Sequence, residues 1–195
     1  MMNPLRFRFH RVALLVAFAC VAVAARATDN HPRRVLIIRH AEKPSDNNMS
    51  GLSPEGVARA KALARLFESG PGRQNPLPKP DFVFAAKNSK VSHRSVETAK
   101  PLASALGVPV DSTFDDAQVE KLVSELSRPK YDGKTVLVVW HQGSIPALAR
   151  ALGSDDAPKG WSDAIFDRVW EISYTASGKA RFSDLPQALF PKDSR

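Results

Sequence analysis

Two short apolar runs constrain the fold of this chain more than any other feature of its sequence. Residues 33–38 read RRVLII and residues 134–140 read KTVLVVW, so that apolar, mostly β-branched side chains follow one another without polar alternation. Runs of this length and composition are typical of strands that are buried on both faces of a parallel sheet. They therefore predict two strands of such a sheet.

The segments around these runs predict an alternation of strands and helices. The clearest helix start is at Ser53, which can cap the helix, with Pro54 at the first helical position. Further strands are predicted over residues 81–86, 108–110, 166–174 and 178–183, and further helices over 91–106, 117–126 and 144–152. This alternation predicts an α/β fold, a three-layer sandwich in which a mostly parallel central sheet carries helices on both faces.

The N-terminus has the pattern of a secretory signal peptide. A basic start is followed by an apolar run over residues 12–25, which ends in Ala25-Arg26-Ala27. The run has about 14 residues, whereas about 20 are needed to cross a bilayer comfortably. We therefore expect cleavage after Ala27, a periplasmic or secreted protein, and no stable membrane insertion afterwards. Retention of residues 1–27 as an N-terminal anchor is the alternative.

Removal of residues 1–27 changes what the composition implies. The formal charge of +8 falls to about +4, because four arginines and no acidic residue leave, and nucleic-acid binding loses most of its compositional support. Cys20 leaves as well, so the mature chain has no thiol chemistry. Residues 28–195 are long enough for a single domain with a proper core. The Pro- and Lys-rich end after Leu185 is expected to be a loosely ordered tail of that domain.

Charged and polar residues follow the two apolar runs where the predicted strands end. Arg39 and His40 come directly after the first run, and His141, Gln142 and Gly143 follow the second. In open α/β sheets, ligands bind beyond the carboxyl ends of the strands. Because two of the four histidines of the mature chain fall at these positions, the sequence predicts a functional site at this edge.

Four segments resemble the motifs of the histidine phosphatase (phosphoglycerate mutase-like) superfamily, in the same order. Residues 39–43, RHAEK, resemble the signature that carries the catalytic histidine, and residues 52–56, LSPEG, are similar to the helix start that follows. Arg94 lies in a segment that resembles the one with the second arginine, and His141 matches the second histidine. The resemblance extends over residues 35–169 and points to a small exported branch with an RHAEK motif.

The resemblance implies a catalytic scheme in which His40 attacks phosphorus as a neutral imidazole and forms a phosphohistidine. A backbone carbonyl is expected to hold the other ring nitrogen and so to fix the tautomer. Arg39 and Arg94 would bind phosphate oxygens through their planar forks, and a protonated His141 would stabilise the developing charge. The scheme requires neither a metal nor a cofactor.

The general acid is the part of the scheme that the sequence leaves open. Some branches of the superfamily carry an acid directly after the second histidine, but Gln142 occupies that place here. Other branches use a Glu after the segment with the second arginine, and in that region this chain has Asp115, Asp116 and Glu120. Asp115 or Asp116 is the predicted acid, and Glu42, close to His40 in the sequence, is a further candidate.

The function implied is that of a metal-independent phosphoric monoester hydrolase of the histidine acid phosphatase type. Short connections around the predicted site, at residues 43–51, 70–80 and 153–165, favour a small or exposed phosphate ester, either a small molecule or an envelope-associated phosphate. Because Gln142 stands where an acid is expected, a non-catalytic binder of phosphorylated ligands is the alternative. A phosphomutase is less favoured, as is a zinc enzyme, since clustered carboxylates are missing beside His40 and His141.

Overall fold

A six-stranded sheet forms the centre of the part of the chain that the structure, a computed structural model, describes: residues 31–46, 49–70 and 73–194. The strands are β1 (Arg34–Arg39), β2 (Phe82–Ala85), β3 (Val110–Asp111), β4 (Thr135–Trp140), β5 (Arg168–Tyr174) and β6 (Ala180–Pro186). Their spatial order is β3-β2-β4-β1-β5-β6. The first four of these are parallel to one another, whereas β5 and β6 form an antiparallel hairpin at one edge. The predicted mostly parallel sheet is confirmed.

Helices cover both faces of this sheet, as the alternation predicts. The α-helices are α1 (Pro54–Ala62), α2 (Arg94–Leu106), α3 (Val119–Leu126) and α4 (Ile145–Ala151), and 3₁₀ helices form at Leu63–Phe67 and Pro129–Tyr131. The first 3₁₀ helix and α2 pack on one face, and α3 and α4 pack on the other. The α/β three-layer fold is therefore confirmed.

The two central strands are buried from both sides because alternate side chains point to opposite faces. On β1, Val35 and Ile37 join the cluster under α3 and α4, while Leu36 and Ile38 join the cluster under α2. All four side chains are fully buried. Each such side chain contributes roughly 1.5–3 kcal/mol to folding, so the sheet that carries the site is a firm scaffold.

Local signals fix where the first two α-helices begin. Ser53 caps α1, and its Oγ accepts a hydrogen bond from the Gly56 amide at 3.1 Å. Helix α2 begins at Arg94, three residues later than predicted, because Ser89 Oγ accepts hydrogen bonds from the amides of Val91 and Ser92 and holds a turn there. The turn places Arg94 at the N-terminal end of its helix, at the edge where the parallel strands end.

The prediction of a loosely ordered C-terminal tail is wrong for residues 186–194. Strand β6 continues to Pro186, Gln187 is fully buried, and Asp193 is buried in an ion pair with Arg59. The composition of this segment suggested disorder because it has few large apolar residues. A buried ion pair with a distant arginine, which composition does not reveal, anchors it instead.

The predicted signal peptide, its cleavage after Ala27, and Cys20 all lie outside the described residues. Among the helices that the structure does describe, none is long and apolar enough to cross a membrane.

Candidate active site

The carboxyl ends of β1 and β4 bring His40 and His141 together. Arg39 and Trp140 are partners in the parallel register, and the His40 amide donates to the Trp140 carbonyl oxygen at 2.9 Å. The residues that follow therefore leave the sheet side by side. The two imidazole rings lie edge to face, with centroids 5.1 Å apart. This is the edge of the sheet at which the sequence predicts a site.

His40 is held as a neutral imidazole with one free ring nitrogen. Its Nδ1 lies 2.7 Å from the Ala41 carbonyl oxygen, which can only accept, so Nδ1 carries the proton and Nε2 has the lone pair. The pKa of His40 is lowered to about 3, mainly by burial; the Ala41 hydrogen bond opposes this, and the nearby charges of His141, Arg39 and Arg94 lower the pKa as well. The predicted tautomer-fixing bond to a backbone carbonyl is thus present, and Nε2 is available as a nucleophile.

Arg39 is buried, and three of its five N–H donors have no hydrogen-bond partner among the described residues. Nη1 donates to the carbonyl oxygens of Asp163 at 2.7 Å and Ile165 at 3.1 Å, and the guanidinium lies over the Phe166 ring at 3.8 Å. Nε and Nη2 are buried without a hydrogen-bond partner in the described chain. Burial lowers the pKa of Arg39 to about 10, which leaves it charged at neutral pH. Because these buried N–H groups carry positive charge and have no partner, they are suited to bind an anion with several oxygens.

Arg94 adds a second cation to the same site. Its Nη1 donates to the Met49 carbonyl oxygen at 3.1 Å, and its Nε is buried without a partner among the described residues. Burial lowers the pKa of Arg94, and its own charge lowers the pKa of Arg39, His40 and His141. The structure therefore places all four predicted residues within electrostatic reach of one another.

His141 differs from the sequence-based expectation of a protonated imidazole. Burial lowers its pKa, the nearby charges of Arg94 and Arg39 lower it further, and only Asp116 raises it. In the ligand-free protein His141 is therefore neutral at neutral pH. The sequence did not show how far burial would lower the pKa of this ring. A bound phosphate dianion would oppose their effect and raise the pKa of His141.

The carboxylates proposed as general acids occupy different places. Asp115 Oδ1 accepts a hydrogen bond from the Ala117 amide at 3.1 Å and stabilises its own turn. Asp116 acts electrostatically on His141, and its backbone oxygen accepts from Trp140 Nε1 at 3.2 Å. Glu42 is ion-paired with Arg59 at 2.8 Å, and Glu120 is exposed on α3. Among these candidates, Asp116 is the one whose charge acts on His141.

Sequence reasoning missed two residues that complete the site. Gln142 Nε2 donates to Asp163 Oδ1 at 3.0 Å, so a carboxylate from another loop lies beside the position that follows His141. Phe166, expected in a strand, precedes β5 and forms the surface under Arg39. Within the described residues, no group of three or more His, Cys, Asp or Glu side chains could hold a metal ion.

Solved structures share this arrangement of strands and helices. α-Ribazole phosphatase from Shigella flexneri is 17% identical over 78% of this chain and 96% of its own, with a TM-score of 0.55. The mycobacterial glucosyl-3-phosphoglycerate phosphatase is 19% identical over 80% of this chain and 99% of its own, also at 0.55. The protein histidine phosphatase SixA, solved with tungstate, is 17% identical over 79% and 97%, at 0.52. The chain has the histidine phosphatase fold.

The comparison with these histidine phosphatases rests on structure. No family model and no curated protein matches the sequence. The mycobacterial enzyme has also been solved with inorganic phosphate, at 19% identity over 78% of this chain and 95% of its own and a TM-score of 0.52. At these identities the likeness establishes the fold, and the chemistry must be argued from the residues of this chain.

Proposed function

We propose that this protein is a metal-independent phosphatase that hydrolyses phosphate monoesters through a phosphohistidine on His40. One observation carries the proposal: Arg39 has buried N–H groups without a partner among the described residues, and it is followed by a neutral histidine whose Nε2 lone pair is bound by none of those residues. The arginine donors suit phosphate oxygens, and the ring nitrogen suits attack on phosphorus.

The reaction follows from these groups in two steps. In the first, Arg39 and Arg94 bind the phosphoryl oxygens, His40 Nε2 forms a bond to phosphorus, and the bond from phosphorus to the ester oxygen breaks. The leaving oxygen takes a proton from the general acid, proposed to be Asp116, and departs as an alcohol. In the second step, water attacks phosphorus and gives a proton back to the same carboxylate, the bond to Nε2 breaks, and inorganic phosphate leaves. Both steps depend on positioning and on the fixed positive charge of the arginines.

His141 would respond to the substrate in this scheme. It is neutral in the ligand-free protein, and the negative charge of a phosphoryl group favours its protonated form. Protonated, it can donate a hydrogen bond to an oxygen of a phosphoryl group on His40, because the centroids of the two rings are only 5.1 Å apart. The negative charge on the transferring phosphoryl group would then be stabilised by three hydrogen-bond donors, Arg39, Arg94 and His141.

The general acid can be identified by the leaving group it serves. We expect Asp116→Asn to lower kcat by about 10²-fold for an alkyl phosphate, since a positioned acid contributes about 10²–10⁴-fold. The same variant should lose little with an aryl phosphate, whose leaving oxygen needs no proton. Asp115→Asn, which alters only a turn cap, is the matched control and should behave as wild type with both esters. If Asp163→Asn, rather than Asp116→Asn, lowers kcat for the alkyl phosphate alone, Asp163 is the general acid.

The substrate class proposed is a small or exposed phosphate ester. The three neighbours are named for phosphohistidine, glucosyl-3-phosphoglycerate and α-ribazole chemistry, which share the phosphoryl group and little else. The connections whose backbone carbonyls bind the two arginines, around Asp163 and Met49, are short, which leaves little chain to build walls around a large substrate. Behind the predicted signal peptide, such an ester would be met in the periplasm or outside the cell.

The first test uses residues 28–195 and an aryl phosphate in excess EDTA. We expect turnover that resists EDTA, together with a labelled protein intermediate, after rapid quenching, that is stable in base and lost in acid, as a phosphoramidate is. Activity that EDTA abolishes and a divalent metal restores would contradict a metal-independent mechanism. Saturable binding of phosphate esters, without turnover and without a labelled protein intermediate, would favour a non-catalytic binder. The presence of Gln142 where an acid is expected supports that alternative.

A further inference from the structure

A buried polar network links the end of the chain to the loop that follows His40. At its centre is Arg59 on α1, which is 4% exposed. Its guanidinium donates to Asp193 through both Nη atoms, at 2.9 and 3.1 Å, to Gln187 Oε1 at 3.0 Å and to Glu42 Oε1 at 2.8 Å. Burying an arginine is costly unless its charge is paired, so Asp193 and Glu42 are required to keep it there.

Through Glu42, the network holds the loop that follows His40. The Glu42 side chain is bound to Arg59, and its backbone oxygen accepts the Ser53 amide at 2.9 Å. Gly56 packs so closely that a Cβ at this position would overlap the Glu42 carbonyl oxygen. Glu42 directly follows Ala41, whose carbonyl oxygen holds His40 Nδ1. The position of Glu42 therefore helps to set the orientation of the His40 ring.

Through Gln187, the network also contacts Phe166, which packs against Arg39. Residues 187–194, which we name the C-terminal strap, fold back over α1, and Asp193 Oδ2 accepts the amides of Leu189 and Phe190. Gln187 Nε2 donates to the carbonyl oxygen of Phe166 at 3.1 Å. The Phe166 ring lies against the Arg39 guanidinium at 3.8 Å. The strap is thus linked to the loop after His40 through Arg59 and to the Arg39 guanidinium through Phe166.

We propose that Asp193 and Gln187 are positioning residues for the reaction, which act through Arg59 and Glu42 on His40 and through Phe166 on Arg39. Without the Asp193 charge, Arg59 would keep only Glu42 as a charged partner and would move towards it or towards solvent. Either movement displaces Glu42 and the loop behind His40. The kinetic part of this inference rests on the proposed phosphatase function, whereas the structural part does not.

The test compares Asp193→Asn and Gln187→Met with Glu125→Gln, a matched control. Glu125 is another tightly paired carboxylate, bound to Lys130 at 2.7 Å and Tyr131 at 3.0 Å, but it lies on α3 on the opposite face of the sheet. All variants are assayed well below their melting temperatures. We expect kcat to fall about tenfold in both strap variants with KM changed less than twofold, and to stay unchanged in Glu125→Gln.

Two readouts keep the inference separate from the function. The ¹⁵N resonances of the His40 ring report its tautomer without any turnover, and tungstate titration reports the Arg39 donors. We expect the strap variants to shift the His40 resonances and to weaken tungstate binding about threefold or more, even if the protein hydrolyses nothing. If Asp193→Asn does not fold, Gln187→Met decides, since it leaves the ion pair intact. Unchanged resonances, tungstate affinity and kcat in a folded strap variant would show that the network only stabilises the fold.

Discussion

Replacing His40 with asparagine is expected to lower kcat/KM by at least about 10³-fold while the fold is retained. The asparagine amide can still donate to the Ala41 carbonyl oxygen, as His40 Nδ1 does at 2.7 Å. It offers no nucleophilic nitrogen in place of Nε2, so neither the first step nor the phosphorylated intermediate can form. Steady-state kinetics with an aryl phosphate, together with labelling of the protein, measures both consequences.

His93→Asn is the matched control for this experiment. His93 is exposed and directly precedes Arg94, so its replacement tests whether any histidine near the arginine affects the rate. We expect wild-type kinetics and labelling in His93→Asn. Turnover at the wild-type rate in a folded His40→Asn variant would refute the nucleophilic role of His40 and, with it, the phosphohistidine mechanism.

The low pKa of His40 adds a dependence on pH. With a pKa of about 3 in the folded protein, against the ordinary value of 6.5, the ring stays neutral and nucleophilic in acid solution. Between these two values the unfolded chain binds a proton that the folded chain does not, so the free energy of unfolding falls as the pH is lowered through this window. Denaturant unfolding at pH 7 and pH 4 should show a smaller acid loss in His40→Asn than in wild type.

The fold and the four central residues could be predicted because their signals are local. The two apolar runs identify strands, and in a parallel sheet the residue after each strand falls at one edge, which brings His40 and His141 together. Arg94 was found through its motif, and the turn at residues 89–92 then decides where its helix begins. Each inference needs only a few consecutive residues and one rule about sheets.

The remaining features arise from contacts between residues far apart in the sequence. Arg59 and Asp193 are 134 positions apart, and the sequence around neither residue predicts that the two form an ion pair. The same holds for Gln142 and Asp163, which meet only because two loops converge above the sheet. The pKa of His141 is lowered mainly by burial and, less strongly, by two arginines from different elements. Electrostatic and burial effects of this kind appear only once the tertiary structure is known.

Replacing Arg39 with lysine is expected to lower kcat/KM by about 10²-fold or more, although the charge is kept. Nε and Nη2 are the buried donors left for an anion, and a lysine ammonium cannot reproduce this fork. Hydrogen bonds to charged groups contribute roughly 1.5–3 kcal/mol each, and about 1.4 kcal/mol corresponds to a factor of ten, so losing two gives this magnitude. Kinetics with an aryl phosphate measures the loss.

Tungstate, as a mimic of phosphate, should separate binding by Arg39 from a general effect of charge. Because the anion satisfies buried donors in the folded state alone, it should raise the melting temperature of the wild-type protein and do so much less in Arg39→Lys. Arg128→Lys is the control, since the Arg128 guanidinium pairs with Glu125 at 3.2 Å, on the opposite face of the sheet from the C-terminal strap. Equal thermal shifts in wild type and Arg39→Lys would mean that the unpaired donors of Arg39 do not bind the phosphoryl group, and the observation that carries the proposed function would be lost.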